Sequence, residues 1–341
     1  MEISTIGFDT AKNVFQIHGV DSSGNVVLRR QLRRAEVLKT FGKLPPCLVG
    51  MEACASSHYW AREIGVLGHD VRLIPPRRVK AYVTWGKKND ATDAEAICEA
   101  VSRPNMQFVA LKTVEQQSAL MLHKVRRLLV EMRTKTENAL RSHMAEFGHI
   151  AAKGDAGRTA LIALVDKGGE WLPTIAQQAL SALVRQIREL SDQIAALDAS
   201  IKVWHQHNAQ SQLLATIPQI GPVTASALVA TIGDASRFKN GRQLAAWIGL
   251  VPSQNSSGGK ERLGGITKCG DRYLRTLLVL SATGMIRRIR KDPSRWPWFA
   301  KTLARKPPKV AAVALANKLA RTVWAMLVSG EIFSDQSAMA Q

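Results

Sequence analysis

Ile3-Ser4-Thr5-Ile6-Gly7-Phe8-Asp9 is an apolar run that stops on a carboxylate, and its reading decides the fold of the first hundred residues. Short, β-branched and bounded by polar positions, it predicts a strand over residues 3–8. Two more strands are expected at 14–20 and 25–32, separated by the turn Asp21-Ser22-Ser23-Gly24-Asn25. Further along, Cys47-Leu48-Val49-Gly50-Met51-Glu52 repeats the opening pattern, an apolar run closed by an acid. A helix over 35–42 precedes it. A second helix, capped by Ser56 or Ser57, runs to Leu67 and feeds a strand at 71–74. Pro75-Pro76 closes that strand, and helices take over from Arg77. Three strands followed by alternating helix and strand predict a mixed α/β sheet.

The acids then acquire a pattern. Asp9 and Glu52 stand at strand ends, and Asp90 and Asp93 sit three apart at the start of a helical stretch, Asp90-Ala91-Thr92-Asp93-Ala94. Residues three apart share one helical face. A lone acid at such a place reads as a solvated strand end or an N-cap. Four together read as a pocket of oxygen ligands for Mg²⁺, a hard cation. Two such ions can activate an attacking oxygen and stabilise a leaving one. Glu95 and Glu99 fall on the same helix and are assigned to its solvent face.

The rest of the chain is basic. Across 341 residues, 47 Lys and Arg oppose 27 Asp and Glu, a formal net charge of +20. The excess is uneven, because residues 211–341 hold 19 basic side chains against 6 acidic ones. Such a field suits a polyanion, whose neutralised phosphates release counterions. Hydrophobic content of 46% is ample for two or three domains. No run of about 18 apolar residues appears and the first residues lack signal-peptide character, so neither a membrane partner nor export is expected. Cys47, Cys54, Cys98 and Cys269 form no CxxC pair and read as reduced, mostly structural thiols of a cytoplasmic protein, with no zinc site.

The middle of the chain changes period. Leu183, Ile187, Leu190, Ile194, Leu197, Ile201 and Trp204 alternate in steps of four and three, an a/d seam on a helix expected over 180–204. Val114, Ser118, Met121, Val125, Leu128 and Met132 repeat the alternation upstream. The seams fit either an antiparallel helical hairpin within one chain or a coiled coil joining subunits. Ile217-Pro218-Gln219-Ile220-Gly221-Pro222 resembles the turn of a helix-hairpin-helix element, whose backbone N–H groups can face a phosphate. Helices resume at 241–248, 272–289 and 309–327, and residues 334–341 read as a loose tail.

Between those helices lies Gly249-Leu250-Val251-Pro252-Ser253-Gln254-Asn255-Ser256-Ser257-Gly258-Gly259-Lys260, a polar loop continuing through Arg262 and Lys268 to Arg272 and Arg275. Glycines admit close approach of a phosphate, and the cations Lys260, Arg262, Lys268, Arg272 and Arg275 would stabilise charge on it. A serine there can be a nucleophile if activated. A flexible basic DNA-binding loop has the same composition.

Taken in order, Gly7-Phe8-Asp9-Thr10-Ala11-Lys12, Gly50-Met51-Glu52-Ala53, Lys88-Asn89-Asp90-Ala91-Thr92-Asp93-Ala94, the hairpin at 217–221 and the loop at 249–275 resemble the DEDD transposases of insertion sequences. The resemblance spans roughly residues 3–330. It implies an RNase H-like (RuvC-like) α/β domain over 1–108, a helical coiled-coil region over 109–208, and a mainly α transposase domain over 209–330 with a helix-hairpin-helix-like element. Residues 331–341 are then a tail.

The same resemblance makes Asp9, Glu52, Asp90 and Asp93 the metal-binding tetrad, with two Mg²⁺ ions. Ser257 corresponds to the nucleophile, with Ser256 adjacent. It further implies donor and target DNA as substrates, a structured bridge-type guide RNA, and a homo-oligomer, dimer or tetramer. The metal domain of one subunit would meet the serine of another. Such a protein acts in the bacterial cytoplasm, at the nucleoid. Three other readings make different demands. A junction-resolving endonuclease needs the tetrad but not Ser257. A tyrosine recombinase needs Tyr273. An architectural nucleic-acid-binding protein needs neither.

Overall fold

The structure, a computed structural model, describes residues 2–10, 12–83, 89–255, 260 and 262–334. It divides into two compact units, Met1–Thr113 and Val114–Gln341. The break falls close to the expected edge at 108. The expected edge at 208/209 lies inside the second unit, where the long helices and the C-terminal helices pack together.

In the first unit, β1 (Thr5–Asp9), β2 (Val14–Val20) and β3 (Val26–Arg33) form an antiparallel meander. After α1 (Val37–Phe41) comes β4 (Leu48–Glu52), and after α2 (Ser57–Val66) comes β5 (Asp70–Ile74). The sheet order is β3-β2-β1-β4-β5, with β4 parallel to both β1 and β5. A short α3 (Pro76–Val79) leads to α4 (Asp90–Val101). The mixed α/β sheet is therefore as the sequence predicts. One detail differs at α2, where neither serine side chain caps the helix. Ser56 takes a left-handed φ of 69° and makes no side-chain cap, while the Ser57 hydroxyl donates to the Cys54 carbonyl at 2.9 Å.

Alternation along β1 sends its side chains to opposite faces. Ile6 and Phe8 go down into a core with Phe15, Phe41, Met51 and Trp60, where the Phe8 ring stacks on Phe15 at 5.5 Å. Gly7 faces the other way and meets α4. It is the register partner of Gly50 on β4, and α4 crosses both. A Cβ on Gly7 would stand 2.0 Å from the Ala94 carbonyl oxygen, and one on Gly50 2.6 Å from Val101 Cβ. Two glycines in one register row thus let the helix lie on bare backbone.

The second unit begins with two helices of 33 residues, α5 (Val114–Glu146) and α7 (Thr174–Gln206), with α6 (Asp155–Lys167) between them. Arg126 bonds Asp198 and Arg133 bonds Ser191, so the long helices run antiparallel. The α7 seam is spent on its own chain, with Ile187, Leu190, Ile194 and Ile201 buried. The α5 series behaves differently. Val114 (64%), Met121 (63%), Val125 (40%), Leu128 (54%) and Met132 (38%) are exposed.

Beyond them, α8 (Ala209–Ala215) and α9 (Pro222–Ile232) flank the short turn at Pro218–Gly221, where Gln219 has a φ of 67°. Then come α10 (Gly241–Ile248), β6 (Pro252–Gln254), β7 (Leu263–Ile266), α11 (Arg272–Lys291), α12 (Pro297–Arg305) and α13 (Pro308–Ser329). The β6–β7 ladder stands where the sequence suggested only a polar loop. Among the described residues, α13 is the one helix long and apolar enough to cross a membrane. Its buried residues, Ala311, Leu315, Ala316, Leu319, Ala320 and Val323, instead belong to the core shared with α9, α10 and α11.

Candidate metal centre and nucleic-acid surface

Because β1 and β4 are parallel neighbours in register, Asp9 and Glu52 emerge at the same end of the sheet. Each lies two residues beyond its glycine and so on the α4 face. The Thr10 hydroxyl lies 3.0 Å from Cys54 Sγ, tying together the segments that follow the two strands. The start of α4 is fixed by a reciprocal cap. Asn89 Oδ1 accepts the Thr92 N–H at 2.9 Å, and Thr92 Oγ1 accepts the Asn89 N–H at 3.1 Å. That cap sets the helix phase, so Asp90 and Asp93 enter its first turn, where a helix N-terminus favours negative charge. An Asn three residues before Thr is a cap signal that the sequence carries.

The four acids are near enough to feel one another's charge. The Asp9 carboxyl is pushed up to about 6, first by burial and then by the charges of Asp93, Asp90 and Glu52, with the Thr10 backbone N–H acting the other way. Three carboxylates from two elements, α4 and β4, therefore act on the fourth at the end of β1. Among the described residues, no three His, Cys, Asp or Glu side chains stand close enough to hold one ion as they are placed. The acids share an edge without closing on a point. An all-oxygen set of mutually repelling carboxylates fits a hard divalent cation in kind. Glu95 and Glu99 are exposed and face Arg29 and Arg103, outside this group, as expected.

In the second unit the loop is carried on a rigid base. Gly249 and Gly270 both have positive φ, 83° and 79°. A Cβ on Gly249 would meet the Cys269 carbonyl at 2.0 Å, and one on Gly270 the Trp247 carbonyl at 1.9 Å. The end of α10 and the turn before α11 interlock at these two points. The Ser253 hydroxyl donates to the Gly265 carbonyl across the ladder at 3.0 Å, and the Asn255 N–H reaches the Arg262 carbonyl at 2.9 Å. Ser256, Ser257, Gly258 and Gly259 lie outside the described residues.

The five cations divide by exposure. Lys260, Arg262, Lys268 and Arg272 are exposed along the ladder and the start of α11. Arg275 is half-buried and turns inward, donating to the carbonyls of Ile248 at 2.8 Å and Cys269 at 3.0 Å. It holds the interlock together. Asp271 already caps α11, accepting the N–H groups of Tyr273 and Leu274.

Tyr273 leads into a network between residues far apart in the chain, which no local motif announces. Its hydroxyl lies 3.2 Å from His123 Nδ1, and His123 Nε2 lies 3.0 Å from Ser226 Oγ. Ser226 donates its own proton to the Pro222 carbonyl at 2.6 Å, so it accepts from Nε2–H. Nδ1 is then left to accept from the phenol. Burial holds His123 neutral, down to about 4, and the nearby Arg126 adds to the effect. Burial likewise raises Tyr273. The phenol is directed into the helices, at His123 of α5.

Comparison with known proteins matches these features in order. Residues 211–297 match the family model described as Transposase IS116/IS110/IS902 family, and residues 6–149 match a DEDD-type family model described as Transposase. A probable family 20 transposase of Pseudomonas aeruginosa is 49% identical over 332 residues, 96% of this chain and 97% of that one. The transposase for insertion sequence element IS1328 of Yersinia enterocolitica is 40% identical, over 97% of this chain and 99% of its own length. A pilin gene-inverting protein of Moraxella lacunata is 32% identical over 168 residues, 44% of this chain and 50% of that one.

Proposed function

Because this chain belongs to the IS116/IS110/IS902 family of transposases, we propose that it recombines the DNA of its own insertion sequence through a serine–DNA intermediate. The chain is a DNA transposase. The observation that carries the proposal is the gathering of Asp9, Glu52, Asp90 and Asp93 at one sheet end, where burial first and then the other three charges raise Asp9 to about 6.

Asp9, Glu52, Asp90 and Asp93 would hold two Mg²⁺ ions. Those ions supply positive charge that lowers the cost of forming an alkoxide and of carrying extra charge on the phosphorus. Ser257 gives its proton to solvent water, and its oxygen bonds to a DNA phosphorus. The bond from phosphorus to the bridging deoxyribose oxygen breaks, and that oxygen leaves as a hydroxyl after taking up a proton. Attack by a hydroxyl from the exchanged strand then releases Ser257 and restores a phosphodiester. Donor and target are thereby rejoined without a net hydrolytic step. Lys260, Arg262, Lys268 and Arg272 contact phosphates around the serine, and Arg275 keeps their platform in place.

The exposed α5 series supports a homo-oligomer, with a second copy of this chain covering Met121, Val125 and Leu128. In that assembly the tetrad of one subunit serves the serine of another. A structured RNA encoded beside the reading frame would choose the sites, as a basic second unit can bind RNA as well as DNA. The protein would act at the bacterial nucleoid.

A suicide substrate that traps covalent protein–DNA adducts tests the central step. The adduct is expected with the natural chain and absent with Ser257→Ala. Complete strand cleavage by Ser257→Ala would overturn the serine's role and favour a junction-resolving endonuclease.

A further inference from the structure

The far end of the second unit carries aromatic rings among its cations, which the sequence did not single out. Residues 272–330 contain 13 Lys and Arg and one acid, Asp292. That acid is engaged locally, accepting the Ser294 hydroxyl at 2.5 Å. Within this field Trp298 is 47% exposed, while its neighbour Phe299 is buried at 1%. The two rings lie 6.1 Å apart and within 24° of parallel, so a buried anchor holds an exposed indole. Trp298 forms part of the wall of a small hollow of about 50 Å³ that opens to solvent between α11, α12 and α13. The hollow is lined mostly by apolar groups, with Lys318 and Thr322 among them.

The cations there are placed on rings. Lys318 Nζ stands 5.0 Å from the centre of the Trp298 ring, and the Arg295 guanidinium 4.9 Å from that of Trp296. Among the described residues no carboxylate pairs with Lys318. Burial and the charge of Arg321 both lower its pKa, so an anion beside it would be welcome. Trp296 Nε1 is buried without an acceptor.

We propose that Trp298 and Lys318 form a stacking site for an unpaired base of single-stranded DNA. A flat aromatic occupant matches the indole face, and the adjoining phosphate matches Lys318, which can leave the ring to meet it. Paired DNA keeps its base faces covered, so a duplex cannot fill this site. DNA is the polymer this family acts on, and strand exchange must expose unpaired bases. Acidic peptides match the charge but bring no flat ring to the indole. The inference rests on the DNA-recombining role proposed above and assigns one unpaired strand a place in it.

The test uses the full chain and an oligonucleotide with 2-aminopurine at successive positions. A base stacked on indole loses emission, so quenching is expected in the single strand and not in the matched duplex. Trp298→Ala should abolish the quenching and weaken single-strand binding about tenfold, leaving duplex affinity unchanged. Trp298→Phe should restore most of both. Absence of quenching with the natural chain overturns the proposal, whatever the variants do. Equal losses for single strand and duplex overturn it too, since a general basic surface behaves that way. A Trp298-dependent preference for RNA of the same sequence overturns the assignment to DNA. Loss of the Ser257 adduct reading would leave the quenching intact, so the two claims fail separately.

Discussion

Gly7 lies directly beneath Ala94, close enough that a Cβ on the glycine would stand 2.0 Å from the Ala94 carbonyl oxygen. The atom in the way is backbone and cannot turn aside. Gly7→Ala must therefore lift α4, and Asp90 and Asp93 move with it. Overpacking of this kind costs about 1–3 kcal/mol, and a backbone obstacle belongs at the upper end. The expected outcome is a melting temperature lower by several degrees together with weaker Mg²⁺ binding by calorimetry. Gly50→Ala meets only the Val101 side chain, at 2.6 Å, and should cost less in both measurements.

Asp9→Asn separates stability from activity. In the natural chain Asp9 is penalised by burial and by three neighbouring carboxylates. A neutral amide of the same shape removes that repulsion. In metal-free buffer at pH 8 the variant should gain about 1 kcal/mol, a value kept small because the site is partly solvated. Recombination should be lost, since the amide is a poor ligand for a hard cation. A variant that recombines at the natural rate would remove Asp9 from the mechanism.

Much of this site was legible in the sequence because strand ends and helix starts are local features. An apolar run ending on Asp9, a second ending on Glu52, and a pair three apart after Asn89 place four acids without knowledge of packing. What brings them together is tertiary. The Gly7–Gly50 row that admits α4 is a pairing between strands about forty residues apart, and no window of sequence shows it. The same holds for Arg275, which reads as a phosphate ligand by composition and donates instead to Ile248 and Cys269. Heptad spacing identified both long helices but could not tell which seam is covered. The α7 seam is buried by its own chain, and the α5 seam is not.

The His123 network predicts a dependence on acid. A buried histidine held neutral down to about 4 binds fewer protons folded than unfolded between pH 4 and 6.5. Its stabilising share is therefore complete above about pH 6.5 and is lost as pH falls towards 4. The full span corresponds to at most about 3 kcal/mol. Thermal melts of His123→Gln between pH 7 and pH 5 should show a shallower acid decline than those of the natural chain. Equal declines would place the sensitivity elsewhere.

Tyr273→Phe tests the direction of the phenol. The change removes a hydroxyl that serves His123 and leaves the ring in place. A stability loss of about 1–2 kcal/mol is expected, because Nδ1 is then buried without a donor. The covalent DNA adduct should persist at the natural yield. Its disappearance in a variant that remains folded would make Tyr273 the nucleophile.

The α5 seam yields the last prediction. Met121, Val125 and Leu128 are spaced for a partner helix, yet within their own chain they are 63%, 40% and 54% exposed. A single chain gains nothing by exposing them, whereas a second copy would bury them by knobs-into-holes packing. Leu128→Glu places a charge at the centre of the seam while touching no core residue of its own unit. The monomer should melt as before, within about 0.5 kcal/mol, as surface changes do. The dissociation constant of the oligomer, measured by analytical ultracentrifugation, should rise at least about tenfold, equivalent to ~1.4 kcal/mol. Recombination should fall with it if two subunits share one active site. Mixing Leu128→Glu, Asp9→Asn and Ser257→Ala chains in pairs then sorts the cases. Asp9→Asn with Ser257→Ala should recover part of the activity, because one chain still supplies the tetrad and the other the serine. No recovery from that pair, with oligomers intact, would show that each subunit acts alone.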